Sequence, residues 1–241
     1  MRVLALDTAT EGCSVALRVG DESIERFTEL GRGHAEQVLA MVEAVLAEAQ
    51  VSLSMLDGIA ASVGPGSFTG VRISVAVAQG LAFGANLRVA PVTTLEALAY
   101  RVMHNGVMRN GTAHALACLD ARMGEVYWGG FTADLGRGLL PSSNPQVGPP
   151  DSVILPGPGV YRGTGRGFAA YPALATLPGL LLDAADSHAL PHAREFARLG
   201  ALRLAAGEGL DPADLCPLYL RDKVALTEAE REAARRQKQA K

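Results

Sequence analysis

Several stretches of this sequence gather residues whose types and spacing can do chemistry. Asp7-Thr8-Ala9-Thr10 sets a carboxylate and two hydroxyls in one polar turn, a set that suits phosphate or magnesium. The alternative is that these side chains simply cap the turn through bonds to its backbone. Gly64-Pro65-Gly66-Ser67-Phe68-Thr69-Gly70 packs three glycines and a proline into seven residues. Such a crossing has few conformations and lets another backbone or a ligand come close. It is not a Walker A loop, because Val71-Arg72 stands where Lys-Ser/Thr is required. Free N–H groups at a helix start there suit phosphate, but close backbone packing is the reading the residues favour. Asp120-Ala121-Arg122 with Glu125 and Tyr127 forms a polar hairpin, either a contact patch or a salt-bridged turn.

The histidines and cysteines add little. His188 and His192 have the i, i+4 spacing of a metal pair, yet Pro191 between them more naturally starts a helix than sits inside one. No metal site is expected there. His34 has no histidine partner on its helix and reads as a cap or surface residue. Cys13, Cys118 and Cys216 lie far apart with no CxxC, which points to reduced thiols rather than a disulfide scaffold or zinc site. No Ser-His-Asp or Cys-His set can be assembled, so no catalytic residue is assigned.

The elements that must position these residues follow from apolar spacing. Arg2–Leu6, Cys13–Val19 and Ser23–Thr28 read as a three-stranded meander. Ala35, Val38, Leu39, Val42, Val45, Leu46 and Ala49 recur at helical spacing. A strand over Gly58–Val63, a helix over Val71–Ala85, a strand over Leu87–Val92 and a helix from Thr93 or Thr94 to about Met103 complete the first half. The second half opens similarly, with a strand over Ala113–Leu119 ending in Asp120, a turn, and a returning strand over Glu125–Phe131. Pro- and Gly-rich sequence from Gly136 to Gly167 holds short strands and loops. A last amphipathic helix is expected from about Pro191 to Ala206, with the proline in its first turn. Thr227–Glu230 has the form of a capping box, but the helix it would start is polar all round and is expected to fray.

The helices carry the clearest non-catalytic signal. Within Val71–Ala85 only Arg72, Ser74 and Gln79 are polar, so both faces need cover. Ala76, Gly80 and Gly84 form a stripe of small residues beside a ridge of Ile73, Val77 and Leu81, a surface on which another helix can mesh. The first helix likewise has a second face of Ala40, Met41, Ala44 and Ala47. An intermolecular helical bundle is expected; the alternative is a helix wholly internal to the chain.

The bulk numbers bound the setting. A formal charge of −3 excludes a generally basic nucleic-acid binder. Met1 leads straight into a strand with no secretion signal. Val71–Ala85 is too short, and too polar at Arg72 and Gln79, to span a bilayer. A cytoplasmic protein is expected, in which the Asn110-Gly111-Thr112 sequon has no meaning.

Two halves that each open on an Asp-ended hairpin suggest the α/β architecture of actin-like ATPases, in which such hairpins face each other across a nucleotide cleft. Beyond topology, Asp57–Ala90 around Gly64–Gly70, together with Leu4–Thr10, His34-Ala35-Glu36, Asp120–Tyr127 and Pro217–Arg221, occurs in an order that resembles the TsaB (formerly YeaZ) family. That family belongs to the bacterial machinery that adds threonylcarbamoyl to adenosine beside the tRNA anticodon. The resemblance implies an actin-like ATPase (ASKHA) fold of two lobes, each on a β-β-β-α-β-α type core, over 1–108 and 109–220, with a charged tail over 221–241. The helix of 191–206 is expected to pack back on the first lobe. The resemblance also implies a glycoprotease-like relative of the catalytic subunit TsaD, without TsaD's HxxxH metal pair, since only His34 is present and Val38 stands four residues on. It implies docking on TsaD through the first two helices, with His34, Val38, Met41, Val42, Arg72, Ile73, Ala76, Val77, Gly80 and Leu81 at the interface. TsaE is the expected ATPase partner, a homodimer forms when TsaD is missing, tRNA is met only through the complex, and no membrane is involved. No cofactor is expected to be tightly bound; ATP or ADP with magnesium belongs to the complex, with Asp7, Thr8 and Thr10 as candidate contacts. The competing reading is an actin-like ATP-binding enzyme or a degenerate glycoprotease-like peptidase. It lacks a metal pair, a nucleophile with its base, and a clear second phosphate loop, since Pro158 removes a donor from Gly157-Pro158-Gly159.

Overall fold

A computed structural model describes residues 1–104 and 114–221. The first half runs β1 (Arg2–Asp7), β2 (Gly12–Val19), β3 (Glu22–Glu29), α1 (His34–Glu48), β4 (Gly58–Ser62), α2 (Phe68–Ala85), β5 (Val89–Val92) and α3 (Thr94–His104). The second runs β6 (His114–Arg122), β7 (Glu125–Asp134), β8 (Gly138–Pro141), β9 (Gln146–Gly148), β10 (Tyr161–Thr164), the single turn α4 (Gly167–Ala170), β11 (Leu180–Leu181) and α5 (Ala193–Ala205). The first sheet has the order β3-β2-β1-β4-β5, and the second β8-β7-β6-β10-β11 with β9 added to β7. In each, the opening strand has antiparallel neighbours on one side and parallel neighbours on the other. The two halves therefore share a strand pattern although their sequences are scarcely alike.

β1 is buried on both faces, which is why it reads as an almost unbroken apolar run. Leu4 and Leu6 join α1 and α2 in one core, whereas Val3 and Ala5 join α3 and α5 in another. That second core also takes in Ala115, Ala117 and Leu119 of β6, so α3 and α5 lie between the sheets. Small residues set the spacing: a Cβ added at Gly200 of α5 would fall 2.4 Å from the Cβ of Ala60. α3 starts with a reciprocal cap, in which Thr93 N–H donates to Glu96 Oε2 and Glu96 N–H to Thr93 Oγ1. The outer side of the second sheet is covered by Phe168 and Leu174.

Three expectations need correction. α2 begins at Phe68 rather than Val71, because the Ser67 side chain accepts the Gly70 N–H and caps it there. The helix is therefore 18 residues long, and by length and composition alone it meets the requirement for crossing a membrane, contrary to the shorter reading. Here its inner residues Val71, Val75, Ala78 and Ala82 pack against the sheet. α5 begins at Ala193, with His192 extended before it, so Pro191 precedes the helix instead of occupying its first turn. The sequon at Asn110, the capping box at Thr227–Glu230 and the tail beyond Arg221 lie outside the described residues.

Candidate functional site

The turns after β1 and β6 border a cleft of about 1140 Å³, lined among others by Thr10, Glu11, His34, Phe68, Asp120, Arg122, Arg166 and Tyr219. Asp7 and Thr8 are not part of its lining: both are 0% exposed. The glycine-rich crossing seals them. Ser67 N–H donates to Ala9 O at 2.7 Å, and Thr8 Oγ1 donates to Gly70 O at 2.6 Å. A Cβ at Gly66 would lie 2.2 Å from Ala9 O, and one at Gly70 would lie 2.0 Å from Thr8 O. Close backbone approach is thus what these glycines provide, which corrects the assignment of Asp7 and Thr8 as nucleotide contacts. Thr10 reaches the cleft, although its hydroxyl accepts Gly12 N–H within the turn.

Asp7 Oδ1 accepts Ala9 N–H at 3.0 Å, while Oδ2 has no partner within hydrogen-bond distance among the described residues. Burial pushes this carboxyl up to about 6, against a smaller downward pull from the Ala9 N–H. A nucleotide with magnesium requires a carboxylate and N–H donors open to the cleft. Asp7 and Thr8 are sealed, Asp120 is taken by Arg122, and Gly157-Pro158-Gly159 does not line the cleft. Asp7 and Thr8, as placed here, do not meet that requirement.

The β6–β7 hairpin is a salt-bridged turn. Arg122 pairs with Asp120 at 2.9 Å and, across the cleft, with Glu11 at 2.7 Å. Arg122 and Met123 both have positive φ, a conformation costly for non-glycine residues; the Asp120 carboxylate helps hold it by accepting Arg122 N–H at 2.8 Å. Arg166 pairs with Glu29 at 2.7 Å, and Arg221 with Glu125.

The second feature is the outer face of α2. Ala76, Gly80 and Gly84 are exposed, and a Cβ at Gly80 or Gly84 would meet nothing within 4 Å among the described residues. Among the described residues the stripe faces outward and nothing covers it. Ile73, Val77 and Leu81 are half-buried beside it, and Phe83 is 85% exposed. On α1 the assignment changes. Val38 (0% exposed) and Val42 (4%) point into the core and cannot touch a partner; Leu39, at 48%, faces outward together with Ala40 and Ala47. Met41 is half-buried. His34 is partly buried, with Nε2 3.0 Å from Thr10 O, joining the start of α1 to the first turn.

The segment after α5 was not foreseen as part of the site. Gln79 Nε2 donates to Pro212 O at 3.0 Å and Leu215 O at 3.1 Å, and Leu218 N–H donates to Val63 O at 2.7 Å. Arg72 Nε then donates to the Tyr219 hydroxyl at 2.7 Å, its guanidinium lying 3.8 Å over the Phe68 ring. Gln79 was the available signal: an amide in an apolar helix needs partners from elsewhere. The spaced histidines part company: His188 lines the cleft, while His192 stacks on Phe27 at 4.2 Å and approaches Glu25 Oε2 at 3.1 Å. Among the described residues, no three His, Cys, Asp or Glu gather as metal ligands.

Residues 28–228 match the family described as TsaD, tRNA N6-adenosine threonylcarbamoyltransferase. The chain is 38% identical over 231 residues to the tRNA threonylcarbamoyladenosine biosynthesis protein TsaB of Escherichia coli K12, covering 93% of this chain and 96% of the relative. The protein of the same name from Haemophilus influenzae is 34% identical over 236 residues, covering 93% and 95%. Among solved structures, YeaZ from Pseudomonas aeruginosa superposes with a TM-score of 0.82 at 38% identity, covering 91% of this chain and 99% of that one. The chain belongs to the TsaB family of tRNA threonylcarbamoyladenosine biosynthesis proteins.

Proposed function

We propose that this chain is a non-catalytic scaffold subunit of tRNA threonylcarbamoylation, docking a TsaD-like catalytic subunit on α1 and α2 and working with a TsaE-like ATPase. The observation that carries the proposal is the outer face of α2, where Ala76, Gly80 and Gly84 lie open beside half-buried Ile73, Val77 and Leu81. A face so rich in exposed apolar area marks an interaction surface, and its small residues allow close helix approach. The cleft supports the same reading, since the Asp7 turn that would meet a phosphate is closed by Gly66 and Gly70. We place ATP or ADP with magnesium on other members of the complex, and tRNA on the assembled complex rather than on this chain alone. Without the catalytic subunit, the same face pairs two copies. We read the two sheets as the lobes of an actin-like fold, over 1–108 and 109–220, and assign the protein to the cytoplasm.

The test is co-elution. Mixed with its cognate TsaD-like subunit, the chain elutes as a stoichiometric complex on size-exclusion chromatography, and Gly80→Arg abolishes that complex while circular dichroism stays unchanged. Separate elution of the wild-type proteins at concentrations well above micromolar would overturn the docking role.

A further inference from the structure

We infer that Arg72 is a preformed anchor for a carboxylate on the docking partner, held in place by Phe68 and Tyr219. The inference rests on the docking role proposed for α2 and adds the chemistry that the partner must present. Arg72 is the only charged residue among the eighteen of α2, and it borders the open apolar stripe. Most of the chain's other described arginines contact carboxylates, among them Arg18, Arg26, Arg122, Arg162, Arg166, Arg203 and Arg221. Arg72, among the described residues, instead gives Nε to the Tyr219 hydroxyl and stacks on Phe68.

Among the described residues, that arrangement gives the Nη groups no hydrogen-bond partner. A guanidinium presents five donors in a rigid fork that matches a carboxylate with two parallel bonds, and only Nε is spent here. The stacked ring and the Tyr219 hydroxyl fix the fork before the partner arrives, which lowers the ordering cost that makes most exposed ion pairs nearly worthless. Tyr219 (49% exposed) and Phe68 (47%) flank it. Arginine and aromatic residues together at an apolar patch are the composition of a binding hot spot. An Asp or Glu set in an otherwise apolar helix face complements this surface in both charge and shape. Tyr219 and Phe68 are positioning residues for that contact. The strap of Pro212–Arg221 brings Tyr219 there and continues to the β6–β7 turn through Arg221, which donates to Ala121 O at 3.2 Å.

The experiment is calorimetric titration of the full chain into its cognate catalytic subunit at low and high salt. Wild-type affinity falls with salt. Arg72→Met weakens binding at least tenfold at low salt and flattens the salt dependence, and Arg72→Lys recovers only part of it. Tyr219→Phe, which keeps the ring and removes the hydroxyl, weakens binding severalfold. Arg72→Glu is rescued by Asp→Arg or Glu→Arg at one interface position of the partner. If Arg72→Met binds as the wild type does at both salts while Gly80→Arg abolishes binding, docking stands and the anchor is refuted. If Arg72→Met leaves subunit binding intact and instead weakens tRNA binding by the complex, the guanidinium serves a phosphate and the anchor is again refuted. If the wild-type chain fails to bind at all, the docking role falls and the anchor falls with it.

Discussion

The hydroxyl of Thr8 donates to the backbone carbonyl of Gly70 at 2.6 Å, fastening the start of α2 onto the turn that follows β1. The contact is possible because Gly70 has no side chain. A Cβ there would sit 2.0 Å from Thr8 O, a backbone atom that cannot swing aside. The same closeness keeps Asp7 and Thr8 out of the cleft lining, so one contact both braces the first half and buries these two side chains.

Gly70→Ala is therefore expected to destabilise the protein. Alanine would ordinarily gain up to about 1 kcal/mol in a helix, but overpacking against rigid backbone costs about 1–3 kcal/mol or more. A net loss near 2 kcal/mol lowers Tm by roughly 4–8 °C in a domain of this size. Thermal unfolding followed by circular dichroism measures it, and an unchanged or raised Tm would show that the crossing has room.

Gly80→Ala should have the opposite sign. Among the described residues nothing lies within 4 Å of a Cβ at that position, so the helix preference of about 0.5–1 kcal/mol is what is left, and Tm is expected to rise by a few degrees. A fall in Tm of the isolated chain, measured at a concentration too low for pairing, would mean that the stripe is packed inward.

Asp7 makes stability pH-dependent with a definite sign. Its folded carboxyl titrates at about 6 against an ordinary 3.8, so the fold binds the proton more tightly than the unfolded chain does. This group penalises folding least below the unfolded value, and stability is lost as pH rises through 4 to 6. About two units correspond to roughly 3 kcal/mol. Asp7→Asn removes the titration. The stability of the variant relative to wild type, from urea unfolding, should therefore grow by about that amount between pH 4 and pH 7. A difference that stays flat across this range would show that the carboxylate is charged in the fold at little cost.

Much of the fold was legible in the sequence because its strands and long helices have strong periods. β1, β2, β4, α1 and α3 are where alternation or helical spacing puts them. β8 to β11 are two to four residues long and carry too few alternating positions to define a strand. The start of α2 was hidden by Pro65 and the glycines, with Ser67 the cap that marks it. On α1, Val38, Leu39 and Val42 fall in one apolar set by spacing, and spacing alone does not say that Val38 and Val42 face the core while Leu39 sits at the exposed edge of that set. The sealing of Asp7 depends on contacts about sixty residues away in the chain, which spacing within one turn cannot report. Tyr219 was visible only as part of the Pro217–Arg221 motif, and its place on Arg72 follows from the path of the strap.

The proposed scaffold role, support of threonylcarbamoyl transfer without performing it, can be measured outright. The direct measurement is formation of threonylcarbamoyladenosine on tRNA in a reconstituted reaction containing threonylcarbamoyl-adenylate and ATP. The chain alone is expected to give no product. The full set, with the cognate TsaD-like and TsaE-like proteins, should modify the tRNA, and omitting this chain should abolish turnover. Robust transfer by the purified chain alone, or undiminished transfer in its absence, would contradict the account.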